Sequence, residues 1–355
     1  MNIYWNSGYE PSPYGYAGSV VTWEILNGLK KLGHSLDVEP NKADVCLIIW
    51  NPRAVITTKH LKIPRLVYHG DIEPQVKEER LIKNWDLFEE EKPSFRNMIG
   101  RKWEIYWDLE QHMKEMMKVE TIANVCHENA AFYKRKGHPR SIYIPNTWSY
   151  STDMITPAPN NKTKKIIGHF SNLNRTGSTF GLHYLLMALM PELDKALTGM
   201  DWEVHIIGGG EISPVLKPYL RHPKIRMRGY VPDLEKELKT SDVVLMMNNA
   251  GPYRAAFTRH MVCWSMGLCL VVHQNSREAI WEAGELRLND PSSNYAFQLG
   301  QQIRNLLLDK KHNEYTRQQG LDLYKRYFTP TIVAGKISME LGRLVNAKVP
   351  IQPEV

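Results

Sequence analysis

WEVHIIGGGE (Trp202–Glu211) and KIRMRGYVPDLEKELKTSDVVLMM (Lys224–Met247) are the two stretches that decide the fold. Short apolar segments alternate in them with amphipathic segments and glycine-marked turns, which is typical of a parallel β-sheet wound with α-helices. The glycines and polar residues follow the apolar segments, where an open α/β sheet binds its ligands. The region therefore predicts a site for a small, phosphorylated ligand. The predicted strands are Val204–Ile207, Ile225–Met227 and Val243–Met247.

Length and composition indicate a two-domain globular protein. A chain of 355 residues exceeds the size of one compact core. Hydrophobic residues at 43% and charged residues at 23% exclude wholesale disorder. The net charge of +7 suits a phosphate-bearing ligand or an anionic membrane surface, and ordinary surface charge explains it equally well. No apolar run approaches the roughly 18–20 residues of a membrane span.

Two further features concern the compartment. The first residues, MNIYWNSGY, lack the basic region and apolar stretch of a signal peptide, which predicts a cytoplasmic protein. The four cysteines fall in apolar stretches without metal-ligand spacing, which predicts buried, reduced thiols. They are Cys46, Cys126, Cys263 and Cys269.

The first half of the chain predicts a second sheet of the same kind. A strand over Asn2–Ser7 precedes a glycine-containing loop and a helix. Gly15 and Gly18 in that loop allow the backbone to approach a ligand at the helix N-terminus, although glycines also serve simply to turn a chain. Two strands, HSLDVEP and ADVCLIIWNP, follow that helix. The positions predicted for its buried face are Val21, Ile25, Leu29 and Leu32.

His69 is the candidate reactive residue of this half. It ends the strand predicted for Pro64–His69, and strand ends are where such sheets place reactive groups, although a lone histidine is more often structural. Farther on, residues 103–118 mix aromatic and basic side chains at helical spacing. This helix predicts either a core face or a face resting on an acceptor or a membrane. The turn KRKGHPR (134–140) is a second candidate membrane contact.

A boundary is predicted near residues 150–163, where YSTDMITPAPNNKTKK has the composition of a linker. The α/β pattern then restarts with a strand over Lys165–Phe170, the loop SNLNRTGST and a helix from about Phe180 to Met190. The predicted divisions are an N-terminal domain over residues 1–155, a C-terminal domain over 156–330 and a terminal segment over 331–355.

Several of these segments together resemble the GT-B glycosyltransferases, and most closely the retaining family 4, the glycosyl transferases of group 1. The segments are PYGYAGS, VCHENAAFYKRKG with IYIPNTW, GHFSNLNRTGSTFGLHYLLMAL, WEVHIIGGGE, IRMRGYVPDLEKELKTSDVVLMM and MGLCLVV. The resemblance covers nearly the whole length, and the order and spacing of the segments carry it. It implies two Rossmann-like domains facing a central cleft, with a final helix that crosses back to the first domain.

The resemblance also implies an activity and its partners. It implies transfer of a sugar from a nucleotide-diphosphate donor to a glycan, lipid-linked or small-molecule hydroxyl, with retention of configuration. No cofactor and no metal are implied, because positioned cations and backbone amides can stabilise the leaving diphosphate. A peripheral membrane contact is compatible with a lipid-linked acceptor. Nucleic acid is not an expected partner, since the basic residues are dispersed and lack an aromatic stacking platform.

The site residues that the resemblance implies fall into two groups. Arg175 matches the diphosphate-binding arginine, whose guanidinium can clamp a phosphate through two hydrogen bonds, and His69 matches the histidine near the transferred sugar. Residues matching the donor-binding loops form the second group. They are Gly15, Tyr16, Gly18, Asn172, Gly177, Gly208, Gly209, Arg228, Gly229, Tyr230 and Val231.

The sequence departs from the family pattern at three charged positions. The companion lysine of the diphosphate site falls on Phe180, and Gly177, Arg228 or a backbone amide is a possible substitute. The family's glutamate pair falls on Arg254 and Val262, in a loop about three residues longer than usual. An arginine at position 254 would suit a donor sugar that carries a negative charge. Alternatively, the longer loop shifts the register of this segment relative to the family pattern. Side chains near that helix that could compensate are Tyr253, Arg259, His260 and Glu278.

Three other functions stay open. The missing glutamate pair is compatible with a GT-B protein that binds a nucleotide sugar or glycan without transferring it. The same architecture also supports sugar-nucleotide epimerases, which need acid and base groups in the cleft. A nicotinamide dehydrogenase fits poorly, because no G-x-G-x-x-G follows the first strand, although Asp37 lies about 20 residues beyond Gly18.

Overall fold

The computed structural model describes residues 1–89, 91–149, 163–248, 258–280 and 292–347. The chain divides into two compact units. Unit 1 comprises Met1–Ile72, Tyr106–Trp148 and Arg326–Val355, and unit 2 comprises Glu73–Ile105 and Ser149–Lys325. The division differs from the sequence-based boundaries at residues 73–105, which group with unit 2. The predicted linker lies almost wholly outside the described residues.

Unit 1 is built on a five-stranded parallel sheet with the strand order β1-β2-β3-β4-β5. The three central strands are buried along their whole length, as expected for parallel strands that are covered on both faces. The strands are β1 (Ile3–Ser7), β2 (Val45–Ile49), β3 (Arg65–His69), β4 (Thr121–Asn124) and β5 (Ser141–Tyr143). The helices of the first 150 residues are α1 (Ala17–Lys31), α2 (Ala54–Thr57), α3 (Glu73–Glu78), α4 (Phe95–Met116) and α5 (His127–Arg135).

One predicted strand of this half is wrong. HSLDVEP contributes only the isolated bridge between Asn2 and Ser35. Its last residue, Pro40, begins a 3₁₀ turn over Pro40–Lys42, where the proline ring fixes the backbone. The predicted buried face of α1 is correct at three positions and wrong at Leu32. This residue caps the end of the helix and is 43% exposed.

Unit 2 is built on a six-stranded parallel sheet with the order β11-β10-β9-β6-β7-β8. The strands are β6 (Lys165–Phe170), β7 (Trp202–Ile207), β8 (Ile225–Gly229), β9 (Val243–Met246), β10 (Leu270–His273) and β11 (Ser292–Ser293). The helices are α6 (Thr176–Tyr184), α7 (Met190–Ala196), α8 (Leu234–Leu238), α9 (Thr258–Ser265), α10 (Gln274–Glu278) and α11 (Ala296–Leu308). Two helices close the chain, α12 (Lys310–Tyr327) and α13 (Pro330–Ala347).

The parallel α/β fold predicted for both halves is therefore confirmed, and all four cysteines are free and buried as predicted. The helix predicted for residues 180–190 begins earlier, because the chain turns into it at Arg175. A π-helical turn over Leu185–Leu189 joins this helix to α7.

Residues 73–105 group with unit 2 because they supply apolar side chains to its core. Leu87 is 7% exposed within the main buried cluster of unit 2. The Phe88 ring meets the Phe180 ring edge-on, with the centroids 5.6 Å apart. The Ser213 hydroxyl donates a hydrogen bond to the Leu87 carbonyl at 2.6 Å. Sequence periodicity gave no indication of this packing, because it records which residues are buried and not their partners.

Helix α13 packs against α1 within unit 1, and the contact depends on a glycine. A Cβ atom added to Gly28 would lie 2.5 Å from the Ala334 Cβ and 3.2 Å from the Pro330 carbonyl oxygen. Neither atom belongs to a flexible side chain, so the helices would have to separate. Gly335, the next residue of α13, has nothing within 4 Å of an added Cβ.

These two glycines give opposite predictions for substitution by alanine. Gly28→Ala should destabilise the protein by about 1–3 kcal/mol through overpacking. Gly335→Ala should leave stability unchanged or raise it by roughly 0.5–1 kcal/mol, since alanine is the better helix former. Chemical denaturation followed by circular dichroism measures both. A Gly28→Ala variant as stable as the Gly335→Ala variant would contradict the observed helix packing.

Candidate functional site

The sheet of unit 2 reverses its strand order between β6 and β9. From β6 the chain proceeds to β7 and β8 on one side, and it returns with β9 on the other side. The carboxyl ends of the two central strands are Phe170 and Met246. In open α/β sheets such a switch point leaves a crevice between diverging loops, and ligands bind there. The loop after β6, residues 171–175, is fully described.

The loops after β6 and β7 are joined by close backbone contacts. The Leu173 amide donates a hydrogen bond to the Gly209 carbonyl at 2.9 Å. Gly208 has a φ of +135°, and an added Cβ would lie 1.8 Å from the Ser171 carbonyl oxygen. Only glycine fits there. A Cβ on Gly210 would lie 3.0 Å from the Asn172 side-chain oxygen.

The loop after β8 joins the same group. The Gly208 amide donates to the Gly229 carbonyl at 2.8 Å, and Gly209 lies beside Tyr230. Tyr230 is 79% exposed and follows a glycine with a φ of +65°. Three loops that the sequence analysis selected separately are therefore brought together at one edge of the sheet. Val231, half-buried, continues the third loop.

Arg175 and Gly177 lie at the N-terminus of α6. Arg175 is the N-cap residue with extended backbone angles, and its side chain is exposed. No side chain among the described residues caps this helix. Its first-turn amides, including that of Gly177, therefore point out of the helix without a capping side chain, and such amides favour an anion. The backbone and the guanidinium of Arg175 thus offer positive charge at the same place.

Arg259, on the first turn of α9, reaches this helix end from another direction. Its guanidinium donates to the Phe170 carbonyl at 3.1 Å and to the Ser178 hydroxyl at 3.3 Å. Phe170 ends β6, and Ser178 belongs to the first turn of α6. Burial lowers the pKa of Arg259 to about 10, which still leaves it a cation at neutral pH.

Two buried polar side chains at this edge have no hydrogen-bond partner among the described residues. The Ser171 hydroxyl follows β6, and the Asn248 amide follows β9. Ser171 is 7% exposed and Asn248 is 0% exposed. An unsatisfied buried polar group costs about 1–3 kcal/mol, and unsatisfied groups in native structures often belong to binding sites. Both flank the switch point.

Several other residues that were considered for the site in unit 2 are buried or already paired with another side chain. Phe180, at the family's lysine position, is 3% exposed in the apolar core. Arg228 pairs with Glu237 at 2.7 Å, so its charge is already compensated. His260 is 1% exposed and packs against Trp264, with the ring centroids 5.2 Å apart. Glu278 lies in α10. Tyr253 and Arg254 lie outside the described residues.

In unit 1, His69 ends β3 as predicted, but it is 2% exposed. Its ring lies beside those of His112 and Tyr133, at centroid distances of 6.1 and 5.5 Å. Burial, followed by the charge of His112, lowers the pKa of His69 to about 3. The ring is therefore neutral at physiological pH, and its Nδ1 atom has no hydrogen-bond partner among the described residues.

The glycine loop of unit 1 lies ahead of α1. Gly15 has a φ of +107° and open space around it, and Tyr16, the N-cap of the helix, is 68% exposed. Gly18, which was predicted to lie in this loop, is instead the second residue of α1, and an added Cβ there would lie 2.3 Å from the Tyr9 ring. The exposed part of the loop therefore comprises Gly15 and Tyr16 and does not include Gly18.

The part of the chain that the structure describes contains neither a metal-ligand cluster nor a helix that could span a membrane. No group of three or more His, Cys, Asp or Glu side chains is placed to hold a metal ion there. The helices in that part are all too short or too polar to cross a bilayer.

Residues 164–309 match the family model described as glycosyl transferases group 1. The sequence resemblance is thereby confirmed for this region of the chain. It contains the switch point, the three joined loops, Arg175 and Arg259. No curated protein matches the chain by sequence.

Solved GT-B glycosyltransferases share the fold at low sequence identity. Anabaena Alr3699/HepE in complex with UDP-glucose superposes with a TM-score of 0.64 at 11% identity, covering 97% of this chain and 100% of that one. A Rickettsia africae glycosyltransferase gives 0.60 at 14%, covering 97% and 98%. The UDP-forming trehalose-phosphate synthase of Burkholderia xenovorans gives 0.61 at 12%, covering 91% and 78%. The predicted GT-B fold class is therefore confirmed.

Arg175 and the three loops were predicted from the sequence as parts of the site. Arg259 was named only as a side chain that could compensate for the glutamate pair, and Ser171 and Asn248 were not predicted. Ser171 and Asn248 are ordinary residues at strand ends, so only their missing partners mark them. Arg259 lies 81 residues beyond Ser178 in the chain, and no spacing rule placed the two together. A basic residue near the positions of the family's glutamate pair was the only available signal.

Buried neutral histidines predict that stability falls in acid. Burial lowers the pKa values of His69, His112 and His169 to about 3, 4 and 4. An unfolded histidine titrates near 6.5, so between about pH 6.5 and pH 4 only the unfolded chain binds these protons. Stability present above pH 6.5 is lost as the pH falls, by at most about 1.4 kcal/mol per pH unit for each histidine.

The measurement compares denaturant midpoints at pH 7.5 and pH 5.0. His169→Gln removes one of these groups, so its midpoint should depend less on pH than that of the unchanged protein. His60→Gln, at an exposed position, is the control and should keep the original dependence. Equal pH dependence in all three proteins would show that His169 does not remain neutral in the fold.

Proposed function

We propose that the protein transfers a sugar from a nucleoside-diphosphate donor to an acceptor hydroxyl, with retention of configuration and with no metal or other cofactor. The observation that carries this proposal is the N-terminus of α6. Its first-turn amides and the exposed Arg175 directly follow the loop after β6, which borders the switch point of the sheet and contacts the loop after β7. A diphosphate matches that combination of backbone donors and positive charge.

The reaction follows from where charge develops. The bond between the sugar's anomeric carbon and the terminal phosphate oxygen breaks, and negative charge builds on the leaving diphosphate. Arg175 and the amides of α6 stabilise that charge. The acceptor oxygen attacks from the face that the phosphate leaves, and the leaving phosphate oxygen takes the acceptor proton. The products are the glycoside and the nucleoside diphosphate, so no strong protein base is required.

UDP is the nucleotide we propose first. The Anabaena protein binds UDP-glucose and the Burkholderia xenovorans enzyme is UDP-forming, so two neighbours with this fold use the same nucleotide. In this chain the exposed Tyr230, which lies beside Gly209, is placed to contact the nucleoside. The acceptor is a glycan, a small molecule or a lipid-linked saccharide.

His69 enters the proposal as a hydrogen-bonding group and not as a proton carrier. Its pKa of about 3 keeps the ring neutral, and its Nδ1 atom is buried without a partner among the described residues. A sugar hydroxyl could satisfy that atom. Replacement by glutamine should therefore weaken substrate binding without adding or removing an ionisation between pH 5 and 9.

One experiment separates transfer from the two other activities that GT-B proteins support. The protein is incubated with UDP-glucose, and the products are analysed with and without a panel of saccharide acceptors. Release of UDP that depends on an acceptor, together with a new glycoside, supports transfer. Tight binding without turnover indicates a binding protein, and a changed sugar on an intact nucleotide indicates an epimerase.

Arg175→Ala tests the site directly. Loss of a guanidinium from a phosphate should lower kcat/KM about 10- to 1000-fold and weaken UDP binding. Arg221→Ala is the matched control, because Arg221 is an exposed arginine at the end of a 3₁₀ segment of the same unit. Unchanged donor affinity and turnover in the Arg175→Ala variant would refute the proposed diphosphate site.

A membrane contact is the second proposal, and helix α4 supports it. Phe95, Ile99 and Trp103, at i, i+4 and i+8, are 82%, 41% and 68% exposed. The exposed basic residues Arg96 and Lys102 lie on the same helix. Exposed apolar and basic side chains on one helix are the combination that binds an anionic interface. We infer that α4 rests on anionic lipid when the acceptor is lipid-linked.

Vesicle flotation measures this contact. The protein should float with vesicles containing phosphatidylglycerol and less with neutral vesicles. The double variant Phe95→Glu/Ile99→Glu should lose flotation several-fold. Met339→Glu, at a 70% exposed apolar position on α13, is the control and should float normally. Failure of the unchanged protein to float with either vesicle would exclude the contact.

A further inference from the structure

The diphosphate site of unit 2 has one loop cation, Arg175, and the position of a second one is occupied by an apolar residue. Phe180 is buried against Phe88, and its position cannot be used by a ligand. A nucleoside diphosphate carries more negative charge than a single guanidinium neutralises. A second cation that neutralises the diphosphate must therefore come from a residue whose side chain contacts the first turn of α6.

Arg259 is the arginine that the structure holds against that turn. Its guanidinium bridges the last carbonyl of β6 and the hydroxyl of Ser178, with hydrogen bonds of 3.1 and 3.3 Å. Ser178 is the third residue of α6, and its own side chain is 1% exposed. The cation thus contacts the first turn of α6, the turn whose amides an anion would contact.

The neighbouring polar groups indicate a ligand at the same place. The Ser171 hydroxyl and the Asn248 amide are buried and have no hydrogen-bond partner within the described residues. Asn248 packs its backbone against Gly181 of α6, where an added Cβ would lie 2.8 Å from the Asn248 nitrogen. Buried polar groups without partners are costly, and a polyanion with several acceptor oxygens would offset that cost and match the charge of the half-buried Arg259.

We propose that Arg259 is the second diphosphate-binding cation, taking the part of the lysine that position 180 lacks. This inference rests on the proposed function, and it assigns the role to a different element, helix α9 in place of α6. Ser178 positions the guanidinium, and Asn248 and Ser171, at the carboxyl ends of β9 and β6, supply neutral hydrogen-bonding groups.

Two other arginines of unit 2 fit the role less well. Arg228 is held by Glu237 through two hydrogen bonds and is exposed, so its charge is already matched. Arg277 donates to the Ser292 hydroxyl of β11, the strand at the opposite edge of the sheet from β8. Neither contacts α6 in the hydrogen bonds described.

A purely structural role for Arg259 makes different predictions, and Arg317 provides the comparison. Arg317 is a partly buried arginine of the same unit, whose guanidinium donates to the Gly267 carbonyl at 2.6 Å. Burial lowers its pKa as well. It therefore controls for the loss of a buried guanidinium that holds a backbone carbonyl.

The experiment measures UDP affinity by calorimetry for the unchanged protein and four variants, at several salt concentrations. Arg259→Met should weaken UDP binding about 10- to 100-fold, as expected for lost charge-assisted hydrogen bonds. The salt dependence of the dissociation constant should become shallower, because one attractive charge is gone. Arg259→Lys should restore part of the affinity, and Ser178→Ala should cost a few-fold by releasing the guanidinium. Arg317→Met should bind UDP as the unchanged protein does.

The outcomes separate the two levels of the proposal. If the unchanged protein binds neither UDP nor ADP, GDP or dTDP, the proposed function itself fails, before any variant is considered. If the unchanged protein binds UDP but Arg259→Met binds within threefold of it, the assignment of Arg259 is overturned while the proposed function stands. The same holds if Arg259→Met loses affinity with an unaltered salt dependence. If Arg259→Met does not fold, the UDP affinities of Ser178→Ala and Arg259→Lys decide the assignment, and unchanged affinity in both variants would overturn it.

Discussion

The contact between Gly208 and the Ser171 carbonyl is the constraint on which the candidate site depends. A side chain at position 208 would place its Cβ 1.8 Å from that oxygen, so the loops after β6 and β7 can meet only because this residue is glycine. The Gly208 amide also donates to the Gly229 carbonyl, which brings the loop after β8 to the same place. One residue without a side chain thus holds three loops together. The exposed parts of those loops can then contact a single ligand.

The helix N-terminus supplies what the loops lack, which is positive charge. The loops after β7 and β8 contribute backbone groups, and the charge of Arg228 is matched by Glu237. Charge for an anion therefore comes from the α6 end of the site, through its first-turn amides and Arg175 outside the helix. Helix α9 brings Arg259 into hydrogen-bond contact with the same turn. The glycines therefore determine the shape of the candidate site, whereas the helix terminus and the arginines determine its electrostatic potential.

Much of the fold could be predicted because parallel strands are buried on both faces. The strand predicted for Lys165–Phe170 has the bounds of β6, and those predicted near residues 204, 225 and 243 differ from the observed strands by one or two residues at an end. HSLDVEP failed because its alternating pattern is followed at once by a proline turn. Residues 73–105 group with unit 2 although they precede the predicted linker, since periodicity shows that Leu87 and Phe88 are apolar but not which core they join.

The candidate site could be predicted only where a residue's role follows from its position in the chain. Arg175 and the glycines sit at fixed distances from strands, so counting found them. Arg259 contacts Ser178 across 81 residues, and Ser171 and Asn248 are distinguished only by partners they lack. Such features exist in three dimensions alone. Conversely, the sequence suggested that Arg228 could bind the diphosphate. In the structure its guanidinium is paired with the Glu237 carboxylate, so its charge is already compensated.

A crystal structure of the protein soaked with UDP tests the central claim most directly. The account predicts diphosphate density at the N-terminus of α6, within hydrogen-bond distance of Arg175 and the first-turn amides, with the uracil near Tyr230. Diphosphate bound at any other edge of the sheet would contradict it. So would a structure in which the α6 terminus contacts only solvent at saturating UDP.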